Sequence, residues 1–161
     1  MNTKLSKTFS VAFFFALVSP FSLAGNAGVD LGTHGGVYFT GNKSVIEVKN
    51  DKYVVAGGTI TVKKSQAVGC QGNKCTFNLG IFSFRSGGPS TLRTYGQFTG
   101  RTVGIVGNTI FFDTGHNFKQ HVLPVGLAIG KNTVTFTIDP QNQIVETDET
   151  NNSITVTIIV E

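Results

Sequence analysis

Apolar and polar residues alternate along much of this chain with a period of two. In residues 133–138, Val134, Phe136 and Ile138 alternate with threonines, and residues 153–160 repeat the pattern. Such alternation is typical of strands with one buried face and one solvent-exposed face. Nowhere do apolar residues hold a helical period over three turns, so the pattern argues against a helical domain.

Similar strand signals run through most of the chain after residue 40. Further strands are predicted at residues 59–63, 76–84, 101–106, 109–112 and 118–123, with an earlier one at Ile46 and Val48. Gly107-Asn108 predicts a two-residue hairpin turn. Seven to nine short strands separated by turn signals predict an all-β, immunoglobulin-like antiparallel β-sandwich with Greek-key links, and a closed barrel is the alternative.

One predicted strand, at residues 76–84, changes the parity of its apolar positions. After Ile81 the apolar residues become Phe82 and Phe84, on the opposite parity. A bulge beside Gly80 would keep all of them facing the core.

The first 24 residues have the order of a secretory signal peptide. Lys4 and Lys7 precede an apolar run at 11–18, and small residues lead to a predicted cleavage after Ala24. The run is about half of the ~20 residues that a transmembrane helix needs, so no transmembrane anchor is predicted. We therefore expect a secreted or periplasmic protein, with residues 25–161 as a single domain.

The charge balance argues against nucleic acid as a partner. The leader holds two of the 13 cations, which leaves 11 cations against nine carboxylates and no basic cluster that would predict nucleic-acid binding.

Cys70 and Cys75 are the only cysteines. In an oxidising compartment they are predicted to close a small disulfide loop around Gly72 and Asn73. A redox pair or half of a metal site is the alternative.

The C-terminal segment, residues 130–157, carries a family resemblance. Its motif is a strand ending in Asp-Pro, a turn with Asn, a short apolar step, an acidic link and an Asn pair, at Asp139, Pro140, Asn142, Ile144, Glu146, Asn151 and Asn152. The segment resembles the end of CARDB, the cell adhesion related domain found in bacteria. The resemblance implies an immunoglobulin-like domain that acts in extracellular binding, without catalysis. The region 88–123 is longer than is typical of the family.

The same segment is acidic, which raises the question of calcium. Asp139, Asn142, Glu146, Asp148 and Glu149 could supply hard oxygen ligands to this cation. Their spacing is not that of a known calcium loop, and no glycine stands where a cation-binding turn needs one. We expect a solvated acidic corner and no cofactor, with calcium as the alternative.

Catalytic signatures are weak. The histidines are His34, His116 and His121, and the last two lie on opposite faces if one strand holds both. A zinc site would need a further ligand such as Asp113. No G-x-S-x-G motif surrounds any serine, and the carboxylates cluster at one corner, so we predict that the chain is not an enzyme.

Candidate binding residues lie in glycine-rich stretches predicted to be exposed loops, residues 87–90 and 96–107. In and beside these stretches, aromatic and cationic side chains mix as they do at protein interfaces: Arg85, Arg93, Tyr95 and Arg101. Ordinary solvated strand edges are the alternative interpretation.

Three functions follow from these observations. The first is a secreted or periplasmic bacterial binding or adhesion module that recognises an extracellular protein or polysaccharide. The second is a structural or envelope-assembly protein that self-associates through sheet edges, for which Ile159, on the polar parity of its strand, is a small hint. The third is a small secreted hydrolase.

Overall fold

Ten strands form the described part of the chain, residues 28–39 and 53–161 of a computed structural model. They are β1 (Asp30–Phe39), β2 (Tyr53–Val55), β3 (Thr59–Val62), β4 (Gly69–Gln71), β5 (Lys74–Ser86), β6 (Leu92–Gly100), β7 (Gly104–Phe112), β8 (Asn117–Ala128), β9 (Gly130–Ile138) and β10 (Ser153–Val160). The predicted signal peptide and the strand predicted at Ile46 and Val48 lie outside the described residues. The count exceeds the predicted seven to nine, and β2 and β4 are only three residues long.

The strands form two open sheets, which confirms the predicted immunoglobulin-like sandwich. In sheet A, β5 pairs with β1 and β4 on one side and with β8 on the other, and β2 extends β1. Sheet B has the order β3-β10-β9-β6-β7. All pairs are antiparallel except β3 with β10. Strands β6 and β9 are neighbours although two strands separate them in sequence, as Greek-key links require.

The core lies between the sheets and uses the predicted alternating positions. Val134, Phe136 and Ile138 of β9 are fully buried, as are the even-numbered apolar residues of β10. The rings of Phe98 and Phe136 pack edge to face, with centroids 5.0 Å apart. Burial of these side chains supplies the main favourable free energy of folding.

The parity change predicted in β5 is wrong. The pairing of β5 with β8 runs without a shift along the strand. Consequently Ser83 and Arg85 continue the inward parity of Ile81 and are buried, whereas Phe82 and Phe84 lie on the outer face of sheet A. The irregularity lies instead in β1, between its pairings with β5 at His34 and Tyr38.

The two-residue hairpin predicted at Gly107-Asn108 is also wrong. The turn between β6 and β7 is residues 101–103, followed by Gly104 at a φ of 76°. Gly107 lies in mid-strand, where a Cβ would come within 2.6 Å of the Gly96 carbonyl oxygen. A glycine at this position therefore lets β6 approach closely. Residues 96–107, predicted to be an exposed loop, instead form the end of β6, a short turn and the start of β7.

Two other features complete the frame. The disulfide between Cys70 and Cys75 joins β4 to β5 around the predicted turn, where Gly72 has a φ of 60°. Strand β8 continues through Pro124, which an edge strand tolerates because one row of its N–H groups faces away from the sheet. No helix in the described ranges is long and apolar enough to cross a membrane.

Candidate functional site

The acidic corner that joins β9 to β10 is built on Asp139. This buried residue and Asn142 have left-handed backbones, with φ values of 47° and 49°. The Asp139 carboxylate accepts hydrogen bonds from the Ile144 N–H, at 2.8 Å, and from the Thr94 hydroxyl, at 3.4 Å. Its backbone carbonyl accepts the Asn142 N–H. Asp139 therefore closes the turn and ties it to β6.

Glu146 ties the same corner to β1. Its Oε2 accepts the Leu31 N–H at 2.5 Å, and its Oε1 accepts the Asn152 amide at 3.1 Å. Glu149 accepts the Glu146 N–H and the same Asn152 amide. Burial is the main reason that the pKa of Glu146 rises from 4.5 to about 7, and the charges of Glu149 and Asp139 add to the shift.

The five residues predicted as possible calcium ligands do not assemble a cation site. Asp148 lies exposed, where its carboxylate accepts the N–H and hydroxyl of Thr150. With its amide oriented to donate, Asn142 Nδ2 lies 2.7 Å from Glu149 Oε2. Among the described residues, no group of three His, Cys, Asp or Glu side chains could hold a metal ion. The oxygens that calcium would need accept hydrogen bonds that hold the corner together.

The residues considered for catalysis are separated or buried. His121 lies in the core, stacked on Phe136 with ring centroids 6.3 Å apart, and burial lowers its pKa to about 4. His34 and His116, in contrast, are exposed. The Ser83 hydroxyl is fully buried, where a substrate cannot reach it.

Two of the predicted binding residues, Arg85 and Arg101, differ in burial. Arg85 is only 2% exposed, and its guanidinium donates hydrogen bonds to the carbonyl oxygens of Gly87 and Asp113. It therefore joins the end of β5 to the β7–β8 connection, and the prediction that it lies in an exposed binding loop is wrong. Arg101 is exposed in the β6–β7 turn.

The other two predicted residues, Arg93 and Tyr95, lie together on the outer face of sheet B. The Arg93 guanidinium carbon is 5.4 Å from the ring centroid of Phe111, its cross-strand neighbour on β7. Tyr95 packs over Gly107. Ile105 is exposed on the same face of sheet B but lies farther along β7, opposite Thr99.

Sequence reasoning missed a group of rings on the outer face of sheet A. We call His34, Phe82, Phe84 and Phe118 the aromatic face. Phe118 is 63% exposed, and its ring centroid lies 5.7 Å from that of His34 and 6.2 Å from that of Phe84. Phe82 packs against the buried Tyr38. No lysine, arginine, aspartate or glutamate belongs to this group.

The aromatic face was missed because Phe82 and Phe84 were assigned to the core. Gly80 was the basis of that assignment, yet its role is to make room for the Tyr38 ring. A Cβ at residue 80 would lie 2.1 Å from Tyr38 Cε2. The signal that could have revealed the face is the polar pair Ser83 and Arg85, which keep the parity of Ile81.

Comparison with known proteins bears on this CARDB-like corner and sandwich. The family model of CARDB matches residues 114–156, which span β8, β9, the acidic corner and the start of β10. The resemblance to CARDB is confirmed. CARDB is an adhesion-related type of domain found in bacteria, and the match includes Phe118 of the aromatic face. No curated protein matches the sequence.

Among solved structures, the fold is similar to that of a CARDB domain. That domain belongs to the PF1109 protein of Pyrococcus furiosus and was solved in complex with di-metal ions. It is 16% identical, with a TM-score of 0.50, and the match covers 83% of this chain and 90% of that one. The N-terminal domain of PorA also matches, at 7% identity and a TM-score of 0.37, over 78% of this chain and 97% of that one.

Proposed function

We propose that this chain is an exported, non-catalytic binding module of bacterial adhesion type, and that its aromatic face holds a partner protein. The observation that carries the proposal is the inversion on β5. There two half-buried phenylalanines lie on the outer face of sheet A while Ser83 and Arg85 occupy the interior. Local inversions of the expected pattern concentrate at functional sites because burying polar groups costs stability that folding alone does not require.

The composition of the aromatic face supports a macromolecular partner. Contiguous exposed apolar patches on monomers commonly mark binding sites, and aromatic residues are enriched at the centres of protein interfaces. Phe118 lies on the edge strand β8 and is the most exposed phenylalanine of the face, with its ring near those of both His34 and Phe84. Because it is largely exposed, its burial by a partner would supply apolar contact area that the folded chain leaves unused.

The ring geometry favours a protein over a polysaccharide. The ring planes of Phe118 and His34 are inclined by 71°, and those of Phe118 and Phe84 by 53°. A flat platform for stacking sugar rings needs nearly coplanar aromatic side chains. Inclined rings do not form such a platform, whereas side chains of a protein can pack against them edge to face.

Export and the lack of catalysis rest on separate observations. The leader pattern and the disulfide both suit an oxidising compartment outside the cytosol. The buried His121 and Ser83 and the hydrogen-bonded carboxylates of the corner offer no assembled catalytic group among the described residues. Secretion and periplasmic retention both fit these features.

Binding of the labelled protein to cells of the producing bacterium tests the proposal. We expect Phe118→Ser to weaken cell binding about tenfold or more, because it removes the most exposed phenylalanine ring of the face. The matched control is Val145→Ser, which removes an apolar side chain of similar exposure, 58%, from the β9–β10 corner, outside both the aromatic face and β7. Equal binding by wild type and Phe118→Ser would remove the aromatic face from the function.

Treatment of the cells separates the two partner classes. Protease treatment should abolish binding that depends on Phe118, whereas periodate oxidation of glycans should leave it intact. The reverse result would assign the face to a polysaccharide.

A further inference from the structure

Strand β7 is a long edge strand that lacks the features that normally prevent pairing with another strand. Its nine residues, Gly104–Phe112, pair throughout with β6 and with no other strand in the described ranges. Edge strands of monomers usually carry charges, prolines or bulges, or are very short. β7 has no charged residue and no proline, and its register with β6 is continuous.

The other sheet edges do carry such protection. On β8, the edge strand of sheet A, Lys119 and Pro124 interrupt the row of apolar residues. At the far edges, β3 has four residues, and β2 and β4 have three each. Because short strands offer few hydrogen bonds to a partner, β7 is the open edge of the described molecule.

Exposed apolar side chains accompany this open edge. Ile105 is 73% exposed and Phe111 is 62% exposed, and both lie on the outer face of sheet B. They stand three residues on either side of Asn108, the middle residue of β7. Apolar side chains on an unprotected edge are a liability in a monomer, so their presence calls for a partner.

We propose that β7 pairs antiparallel with β7 of a second copy, in the register centred on Asn108. In that register Ile105 of each copy lies opposite Phe111 of the other, which places the exposed apolar side chains in two equivalent cross-strand pairs. Gly107 lies opposite Thr109, and Val106 opposite Ile110. The two sheets B then form one continuous sheet across a two-fold axis.

A second copy fits the edge because β7 is complementary to itself. Residues at equal distances from Asn108 share a face, and they pair apolar with apolar or glycine with threonine or phenylalanine, with Asn108 opposite itself. No pair brings like charges together, since β7 carries none. Ile159, the residue that first suggested self-association, is not at an edge, because β10 lies between β3 and β9.

Sedimentation equilibrium of the exported protein tests the dimer. We expect a concentration-dependent dimer, and we expect Ile105→Lys to raise its dissociation constant at least about tenfold by placing a charge in both cross-strand pairs. The control is Val122→Lys, at an exposed apolar position on the outer face of sheet A. Thermal melts establish that both variants fold.

Mixing experiments test the register. Ile105→Lys mixed with Phe111→Glu should recover dimers as mixed pairs, because the lysine then lies opposite the glutamate. Ile105→Lys mixed with Ile105→Glu should not recover them, because these charges lie on separate pairs.

Three outcomes would overturn the proposal. A monomer at all concentrations would leave β7 to a strand of another protein. A dimer insensitive to Ile105→Lys, or one disrupted equally by Val122→Lys, would place the interface elsewhere.

Discussion

At the scale of single residues, the half-buried Glu146 and the buried His121 give the fold opposite responses to pH. Burial raises the pKa of Glu146 to about 7, so its protonated form is favoured in the folded chain, and its contribution to stability is lost as pH rises from 4.5 through 7. Burial lowers the pKa of His121 to about 4, so its contribution is present above 6.5 and is lost as pH falls toward 4.

Glu146→Gln should isolate the first of these responses. A glutamine keeps an oxygen for the Leu31 N–H, and the buried Asn152 Oδ1, which lacks a hydrogen-bond partner among the described residues, can accept from the new amide if that side chain turns over. We therefore expect the melting temperature of the wild type to fall relative to that of the variant between pH 5 and pH 8. A constant difference over this range in thermal melts would show that Glu146 does not titrate there.

At the scale of secondary structure, the buried face of a strand could be predicted where apolar and polar residues alternate along that strand. Strands β9 and β10 alternate threonine with apolar residues, so their faces follow from the pattern alone. The orientation of β5 beyond Gly80 could not be predicted in this way, because the buried Arg85 has its hydrogen-bond acceptor, the Asp113 carbonyl, 28 residues away. Likewise, Gly107 serves the contact with β6 and not a turn.

The site residues also differ in whether their contacts are local or distant in sequence. The corner motif around Asp139 was visible as a local pattern, since its turn depends on residues within five positions of one another. The link from Glu146 to Leu31 spans 115 positions and carries no local signal. The polar pair Ser83 and Arg85 could have placed Phe82 and Phe84 outside, but the full aromatic face forms only when β1, β5 and β8 lie side by side.

The β4–β5 hairpin offers a test at this scale. Replacing both Cys70 and Cys75 by alanine should lower the free energy of unfolding by about 2 kcal/mol, the value expected for closure of so short a loop. Because the bridge only joins the end of β4 to the start of β5, we expect the sandwich to form without it. Urea titration measures the change, and a chain that no longer folds would show that the disulfide holds more than the hairpin.

At the scale of the whole molecule, the two proposed surfaces lie on different sheets and complement each other. Pairing through β7 places equivalent faces of the two copies on the same side, because opposed residues in an antiparallel pair point to one face. The two aromatic faces, on the outer side of sheet A, would then point in one direction. A dimer could therefore engage two partners on the same surface.

This geometry predicts that dimerisation strengthens adhesion without changing the individual site. Ile105→Lys should weaken binding to a densely covered cell surface by about tenfold or more, because the second contact of a bivalent molecule benefits from a high effective concentration. Binding of the isolated partner to the same variant in solution should be unchanged, since Ile105 and Phe118 lie on opposite sheets. Phe118→Ser should weaken both. If Ile105→Lys left cell binding intact while abolishing the dimer, each copy would act alone and the shared orientation of the two faces would have no role in adhesion.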